Sequence, residues 1–224
     1  MNDAIACDTY KLIRVKGQKR ITLSVKSNGD VVVRAPKIVP KYTVDAFVLK
    51  NKDWIKNKLE SAVTVKDGSS IGEIDIKVSL SSTTKITLEY NHAERELVLY
   101  CSERVARADK SKAVKDFLIK KSKASYPDMV HELAKSINQN VNKVYIKTAS
   151  SRWGSCSSKK NINISAYTFA LPQNLQHYII SHEVAHLDNM NHSKEFWELT
   201  AKLHPDYKAS KKQLKEYGNL LGSL

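Results

Sequence analysis

The residues best suited to chemistry form a short motif near the C-terminal end of the chain, His182-Glu183-Val184-Ala185-His186, and His192 follows it. Two histidines four positions apart share one face of a helix, so both imidazoles can bind one metal ion. Glu183 lies beside the first histidine, where its carboxylate can hold a metal-bound water and accept its proton. His192 supplies a third nitrogen. Three protein ligands with one open position are typical of a catalytic zinc site, so we predict Zn²⁺ as the cofactor.

The helix that must position this motif is predicted from its apolar residues over residues 172–187. After His186 the helix has to end so that His192 can return toward the metal, and we predict a left-handed conformation at Asn189 for this reversal. A second pair, His131-Glu132, has Lys135 where a second ligand would stand. That pair therefore predicts an ordinary amphipathic helix.

The overall composition is strongly basic. The 224 residues include 37 Lys and Arg against 23 Asp and Glu, a formal net charge of +14. Half of this excess lies in residues 1–60, with 13 basic and six acidic residues. Such a charge favours non-specific binding of nucleic acid, nucleotides or acidic surfaces, although by count alone we favour a solvated basic surface that aids solubility.

The composition also predicts the compartment. The three cysteines are few and odd in number, which suits a reduced cytoplasmic protein. The first residues lack the charged and apolar regions of a signal peptide, and no run of about 18 apolar residues predicts a membrane span.

The first half of the chain reads as β-rich. Alternating apolar residues and turn signals predict strands over residues 11–15, 20–25, 31–35, 74–80, 85–90 and 96–101. Asn28-Gly29 predicts a hairpin turn between the second and third strands. A single helix is predicted from an N-cap at Thr43 to Leu59, with Trp54 as a core anchor.

The second half alternates long helical segments with two short strands. Helices are predicted over residues 106–138, where Pro127 can break the first of them, and over 193–203 and 208–221. Strands are predicted over residues 144–148 and 162–166, on either side of the turn Arg152-Trp153-Gly154-Ser155-Cys156. Gly154 is expected to permit that turn.

Three segments together resemble the YgjP-like metallopeptidases over nearly the whole chain: Lys19-Arg20-Ile21-Thr22-Leu23, the Arg152–Ser157 turn, and His192-Ser193-Lys194-Glu195-Phe196-Trp197 continuing to Pro205-Asp206-Tyr207. The C-terminal third is more distantly similar to the zincin cores of the SprT/Spartan and WLM proteases, which cut proteins crosslinked to DNA. The resemblance implies an α+β fold. In it, a β-rich N-terminal part with one helix, residues 1–101, precedes a zincin-like core, residues 102–224, whose metal-binding helix packs on a small sheet.

The resemblance also implies His182, His186 and His192 as metal ligands and Glu183 as the catalytic base of a metallopeptidase. An extended peptide would then lie along an exposed strand edge, for which residues 162–166 are the candidate. Arg152 and Trp153 are the predicted substrate-binding residues.

Other side chains near the motif have less specific roles. The candidates for stabilising the oxyanion are Arg152, His204 and Tyr207. We expect Cys156 to be an inert thiol, and Glu195 and Glu198 to be either surface residues or partners of a ligating histidine.

Two other functions are compatible with the same metal site. A bacterial member of the family is described as a UTP pyrophosphatase, so a nucleoside triphosphate is an alternative substrate, with Lys147, Arg152, Lys159 and Lys160 holding its phosphates. Three imidazoles favour zinc over the hard cations that phosphoryl chemistry commonly uses, which argues against this alternative. The third hypothesis is a DNA-associated protease recruited by its basic charge.

Overall fold

The computed structural model describes residues 10–25, 30–61, 65–149 and 151–221, with the side chains of residues 57–61 left out. The expected α+β architecture is confirmed. The chain divides into two compact units, residues 1–63 and 64–224. The sequence placed the division after residue 101, but residues 65–101 belong to the second unit. One reason is that the Glu73 amide donates to the Ala170 carbonyl at 2.7 Å and Arg95 donates to the carbonyls of Phe169 and Leu171.

The first unit begins with a three-stranded sheet. Strands β1 (Lys11–Val15), β2 (Thr22–Val25) and β3 (Val31–Pro36) stand in the order β1-β3-β2, with β3 parallel to β1 and antiparallel to β2. All three strands were predicted, whereas the predicted turn at Asn28-Gly29 lies outside the described residues. Apolar side chains of β3 and of the helices that follow form a common core: Val31, Val33, Ala35, Val44, Val48 and Ile55.

The helical part of the first unit differs from the prediction. Two helices, α1 (Lys41–Lys50) and α2 (Lys52–Ser61), replace the single one, and Pro40 rather than Thr43 is the N-cap of α1. The break lies at Asn51, whose side-chain amide donates to the Phe47 carbonyl and so satisfies one of the free carbonyls at the helix end.

The break at Asn51 changes which face of α2 meets the core. Ile55 is 1% exposed and Trp54 is 42% exposed. The prediction that Trp54 anchors the core is therefore wrong, because it assumed one continuous helical phase through residue 51.

The second unit opens with a four-stranded sheet. Its strands are β4 (Ser69–Ile71), β5 (Ile74–Leu80), β6 (Thr87–Asn91) and β7 (Glu96–Cys101), in the order β4-β5-β7-β6. The central pair β5–β7 is parallel and the outer pairs are antiparallel. Helix α3 (Arg107–Ser136) then continues through Pro127, where a break was predicted. Tertiary bonds just before the proline, from Ser122 to the Ala166 carbonyl and from Tyr126 to Gln176, hold this part of α3 in place although Pro127 lacks an amide hydrogen.

The C-terminal part carries the predicted motif. Strands β8 (Lys143–Lys147), β9 (Gly154–Cys156) and β10 (Asn161–Ser165) form a small sheet in the order β8-β10-β9, in which β10 is parallel to β8 and antiparallel to β9. A 3-10 helix leads from β10 to α4 (Gln173–Ala185), which packs on this sheet and on α3.

Two more helices follow, α5 (Lys194–Leu203) and α6 (Tyr207–Gln213). The predicted helix over residues 208–221 is α6 followed by a 3-10 helix, Leu214–Leu220. No helix in the described part of the chain is both long enough and apolar enough to cross a membrane.

Candidate metal centre

Helix α4 presents two of the three motif histidines. An apolar stripe buries the helix in the second unit: Leu175, Ile179, Ile180, Val184 and Ala185. Pro172 is the N-cap, so the predicted start of the helix is confirmed. His182 lies in the last turn and His186 is the C-cap, which places both imidazoles at the C-terminal end of the helix.

The chain reverses after His186 without a left-handed residue at Asn189. The described non-glycine residues with a positive φ are Arg95, Asn138 and Lys160, so the prediction for Asn189 is wrong. The five residues between His186 and His192 make the reversal in ordinary conformations. Asn189 contributes through its backbone, because its carbonyl accepts a hydrogen bond from His186 Nδ1 at 3.0 Å.

The three histidines converge. One ring nitrogen from each of His182, His186 and His192 lies within 4.8 Å of the other two, and His182 Nε2 and His192 Nε2 are 3.2 Å apart. Because His186 Nδ1 donates to the Asn189 carbonyl, its Nε2 carries the lone pair that a metal would need. Among the described residues, buried His182 Nδ1 has no hydrogen-bond partner. The donor set therefore fits one metal ion bound by imidazole nitrogens.

The electrostatics of the histidines agree with that fit. Burial, together with the neighbouring histidines and Lys211, lowers the pKa of His182 to about 3. Burial also lowers the pKa of His186 below its ordinary value. Neutral imidazole is the form that binds metal, so both rings are in the binding form at neutral pH.

Aromatic side chains of α5 surround the three imidazoles. Phe196 is fully buried, and its ring centroid lies 4.5 to 5.0 Å from those of the three histidines. Trp197 stacks on His192 with centroids 5.6 Å apart, and Tyr207 stacks on Trp197 at 5.3 Å. These contacts restrict the ring of His192, which is otherwise exposed.

Lys211 is a residue that the sequence reasoning missed. Its Nζ lies 4.1 Å from the centroid of the Trp197 ring, and its charge acts on His182. The signal was its position four residues after Tyr207, which places both side chains on one face of α6. Lys211 thus brings a positive charge to the histidine cluster.

Glu183 is buried, and one of its carboxylate oxygens is free to accept a hydrogen bond. It is 6% exposed, and among the described residues its Oε2 has no hydrogen-bond partner. Burial raises the pKa of Glu183 to about 8, while the positive charge of Arg152 acts in the opposite direction. A carboxyl group with this pKa can both accept and release a proton near neutral pH.

Strand β9 brings the predicted turn residues to this carboxylate. Gly154 lies in the strand with no positive φ, so its expected role in permitting a tight turn is wrong. A side chain there would meet Glu183 instead. Four residues of the predicted turn and five residues near them line a pocket of about 230 Å³ on the small sheet: Lys147, Ala149, Arg152, Trp153, Gly154, Ser155, Asn163, Ile164 and Ser165. Of the four residues predicted to hold phosphates, Lys147 and Arg152 both line this pocket, and Lys159 and Lys160 do not.

Two of the predicted contacts with substrate are contradicted. Strand β10 is paired on both edges, by β8 and β9, so residues 162–166 offer no edge to an extended peptide. His204 is buried and uses both ring nitrogens, with Nδ1 3.1 Å from His177 Nδ1 and Nε2 2.8 Å from Ser210 Oγ. It has no free nitrogen for an oxyanion.

The remaining side chains named from the sequence stay outside the histidine cluster. Burial and the nearby Glu183 raise the pKa of Cys156 to about 11, so it is a protonated thiol at neutral pH. Glu195 is hydrogen-bonded to Ser193, and Glu198 pairs with Lys194 at 3.5 Å. The exposed pair His131-Glu132 lies on the surface of α3, as predicted.

A family of known proteins matches most of the chain. The chain matches the YgjP-like metallopeptidase domain over residues 19–217. No curated protein matches it significantly. It is similar to a solved structure, the metallopeptidase zymogen of Pyrococcus abyssi abylysin, with 21% sequence identity and a TM-score of 0.38 over 41% of this chain and 92% of that one.

The family match covers most of both units. The match implies a zincin-like core, a catalytic metal and hydrolase activity. With its histidine cluster and buried glutamate, the chain belongs to the YgjP-like metallopeptidase family.

Proposed function

We propose that the protein is a zinc-dependent peptidase in which His182, His186 and His192 hold the metal and Glu183 is the general base. The observation that carries this proposal is the convergence of three imidazole nitrogens within 4.8 Å. Two nitrogens bound tetrahedrally to zinc at about 2.0–2.1 Å lie about 3.3–3.4 Å apart. The 3.2 Å between His182 Nε2 and His192 Nε2 is close to that separation. An all-imidazole donor set also favours zinc over magnesium or calcium.

The reaction would depend on Glu183. Zinc, when bound, supplies a Lewis acid that polarises a carbonyl and lowers the pKa of a coordinated water. Glu183 would accept the proton of the attacking water and pass it to the amine that leaves. The buried position of the carboxyl group and its Oε2, which has no hydrogen-bond partner among the described residues, support this role.

The substrate would extend along β9. No described strand pairs with the outer edge of β9, and Gly154 of this strand lies against Glu183. An extended peptide paired to that edge would bring its backbone next to the catalytic carboxylate. Arg152 and Trp153, which precede the strand, and Lys211 on α6 are the side chains proposed to contact it.

The test is a comparison of substrates with a matched variant. The zinc-loaded protein should cleave unfolded proteins and peptides, and Glu183→Gln should abolish cleavage while the zinc content stays at one per chain. UTP and the other nucleoside triphosphates form the second arm, and unfolded protein with added DNA forms the third. UTP hydrolysis without proteolysis would overturn the proposal, and unchanged proteolysis by Glu183→Gln would overturn the role of Glu183.

A further inference from the structure

The polar strand residues that line the pocket beside β9 lie on the opposite face of the small sheet from Glu183, and Gly154 and Ile164 also line the pocket. Gly154 is paired with Ile164, and their shared face is the one that packs on α4. Ser155 is paired with Asn163, and Asn163 Nδ2 donates to Ser155 Oγ at 3.1 Å on the other face. Lys147 is paired with Ser165, two residues along β10 from Asn163, so it shares that second face.

A peptide added to β9 would place side chains on both faces. Successive side chains of a strand point to opposite sides of the sheet. If one residue of the peptide points toward Glu183, the next residue therefore directs its side chain to the other face of the sheet, where Ser155 and Asn163 line the pocket. The pocket thus becomes a subsite for a residue adjacent to the bond that is cleaved.

The size of the pocket indicates a single side chain. Its volume of about 230 Å³ is below the roughly 300–1,000 Å³ typical of sites for whole small molecules. Only part of a nucleoside triphosphate would fit into such a pocket.

The charge of the pocket indicates the kind of side chain. Lys147 and Arg152 line it, and its lining contains no carboxylate. Among the described residues Arg152 has no salt bridge, and Lys147 makes only a contact with the Tyr145 ring at 5.5 Å. Ser155 and Asn163 add polar groups to the same wall. Lys147, which has no carboxylate partner among the described residues, stands beside neutral polar groups and favours a carboxylate as the ligand, and Arg152, whose charge also acts on Glu183, adds to the positive potential.

We propose that the pocket formed by Lys147, Arg152, Ser155 and Asn163 is a specificity subsite for an acidic side chain of the peptide, adjacent to the cleaved bond. This inference rests on the proposed peptidase function and on docking along β9. It gives the basic pocket a role in choosing among peptides.

The test separates binding from cleavage. The full-length, zinc-loaded Glu183→Gln variant is titrated into two fluorescein-labelled octapeptides, one alternating Val and Glu and the other alternating Val and Gln, at 0.15 M salt. Anisotropy should show the acidic peptide bound about five- to tenfold more tightly. Adding Lys147→Glu should remove this preference.

Lys143→Glu is the matched control. It makes the same charge change on the same face of β8, but four residues away, which is about 13 Å along a strand. That distance exceeds the screening length of about 8 Å at this salt concentration. The control should keep the preference. Equal affinity for both peptides, or equal loss in both lysine variants, would overturn the subsite.

Cleavage of a mixed peptide library by the zinc-loaded wild type is the second measurement. Asp and Glu should be enriched at one position beside the cleaved bond, and Lys147→Glu should remove that enrichment. Cleavage without enrichment would overturn the subsite and leave the peptidase function standing. A binding preference without any cleavage would support the subsite and overturn the proposed peptidase function. If UTP displaced the labelled acidic peptide more effectively than the unlabelled peptide, the pocket would be a phosphate site, and the assignment to an acidic side chain would be overturned.

Discussion

Gly154 lies directly against the side chain of Glu183. A Cβ atom at position 154 would be 2.5 Å from Glu183 Oε1, 2.6 Å from Cγ and 2.7 Å from Cδ. All three distances are far inside van der Waals contact, and all three atoms belong to one side chain. Glycine is therefore required at position 154, because the absence of a side chain lets β9 approach the carboxylate on α4.

Gly154→Ala should destabilise the metal-free protein by about 1–3 kcal/mol, because the added methyl group forces Glu183 or β9 to move. In a Glu183→Ala background the same change should cost much less, since the clashing atoms are gone. Urea unfolding of the four proteins measures this coupling. Gly218→Ala is the control, because nothing lies within 4 Å of its added Cβ. Equal costs in both backgrounds would show that Glu183 is not what excludes a side chain.

His192→Ala should weaken zinc binding by more than the 10–100-fold that loss of a supporting partner costs, because it removes a proposed ligand. Competition with a chromophoric chelator measures the affinity. His131→Ala is the matched control, since His131 is exposed on α3 and far in sequence from the cluster. Zinc affinity unchanged by His192→Ala would remove this residue from the ligand set.

Trp197→Leu should weaken zinc binding about tenfold, because the stacked indole restricts the exposed ring of His192. The stability of the metal-free protein should change less than the metal affinity. Trp54→Leu, at an exposed tryptophan of the first unit, should leave the affinity unchanged. A Trp197 variant that unfolds more easily but binds zinc normally would make the tryptophan a packing residue only.

Relative to Glu183→Gln, the metal-free protein should lose about 2 kcal/mol of stability between pH 6.5 and 8. Glu183 keeps its proton in the folded state up to about pH 8, whereas its ordinary pKa is 4.5, so raising the pH favours the unfolded chain. His182, whose pKa is lowered to about 3, has the opposite effect, as do His177, His186 and His204, whose pKa values are also lowered, and this effect fades as the pH rises past 6.5. Both proteins contain these histidines, so the difference between them isolates Glu183.

Urea unfolding of chelator-treated protein at several pH values measures this slope. Glu183→Gln carries no titrating carboxyl group at this position, so its stability should not fall over the same window. An equal fall in Glu183→Gln would assign the effect to another group.

Several features of the site were readable from local sequence. The spacing of His182 and His186 places them on one helical face, and the apolar stripe of α4 predicted the helix and its start at Pro172. The alternation of apolar and polar residues located nearly every strand. Helical spacing and strand alternation are both properties of neighbouring residues, so local sequence reveals them. The single helix predicted in the first unit was wrong because one side chain, Asn51, changes the local geometry between α1 and α2.

Other features depended on residues distant in the chain. The spacing of the motif predicted a third histidine ligand, but only the packing of α5 shows Phe196 beneath all three imidazoles and Trp197 stacked on His192. Lys211 approaches the cluster because α5 and α6 both pack on α4. Strand order decided that β9, and not β10, has the open edge.

By itself, the sequence determined the chemistry of the metal centre, because its donor atoms come from a few neighbouring residues whose side chains have few other uses in that pattern. Only the tertiary structure decided the environment of that chemistry. The burial that raises the pKa of Glu183, the contact that requires glycine at position 154, and the basic pocket beside β9 all depend on which segments meet in space. Desolvation and close packing are properties of that assembly, and local residue patterns do not encode them.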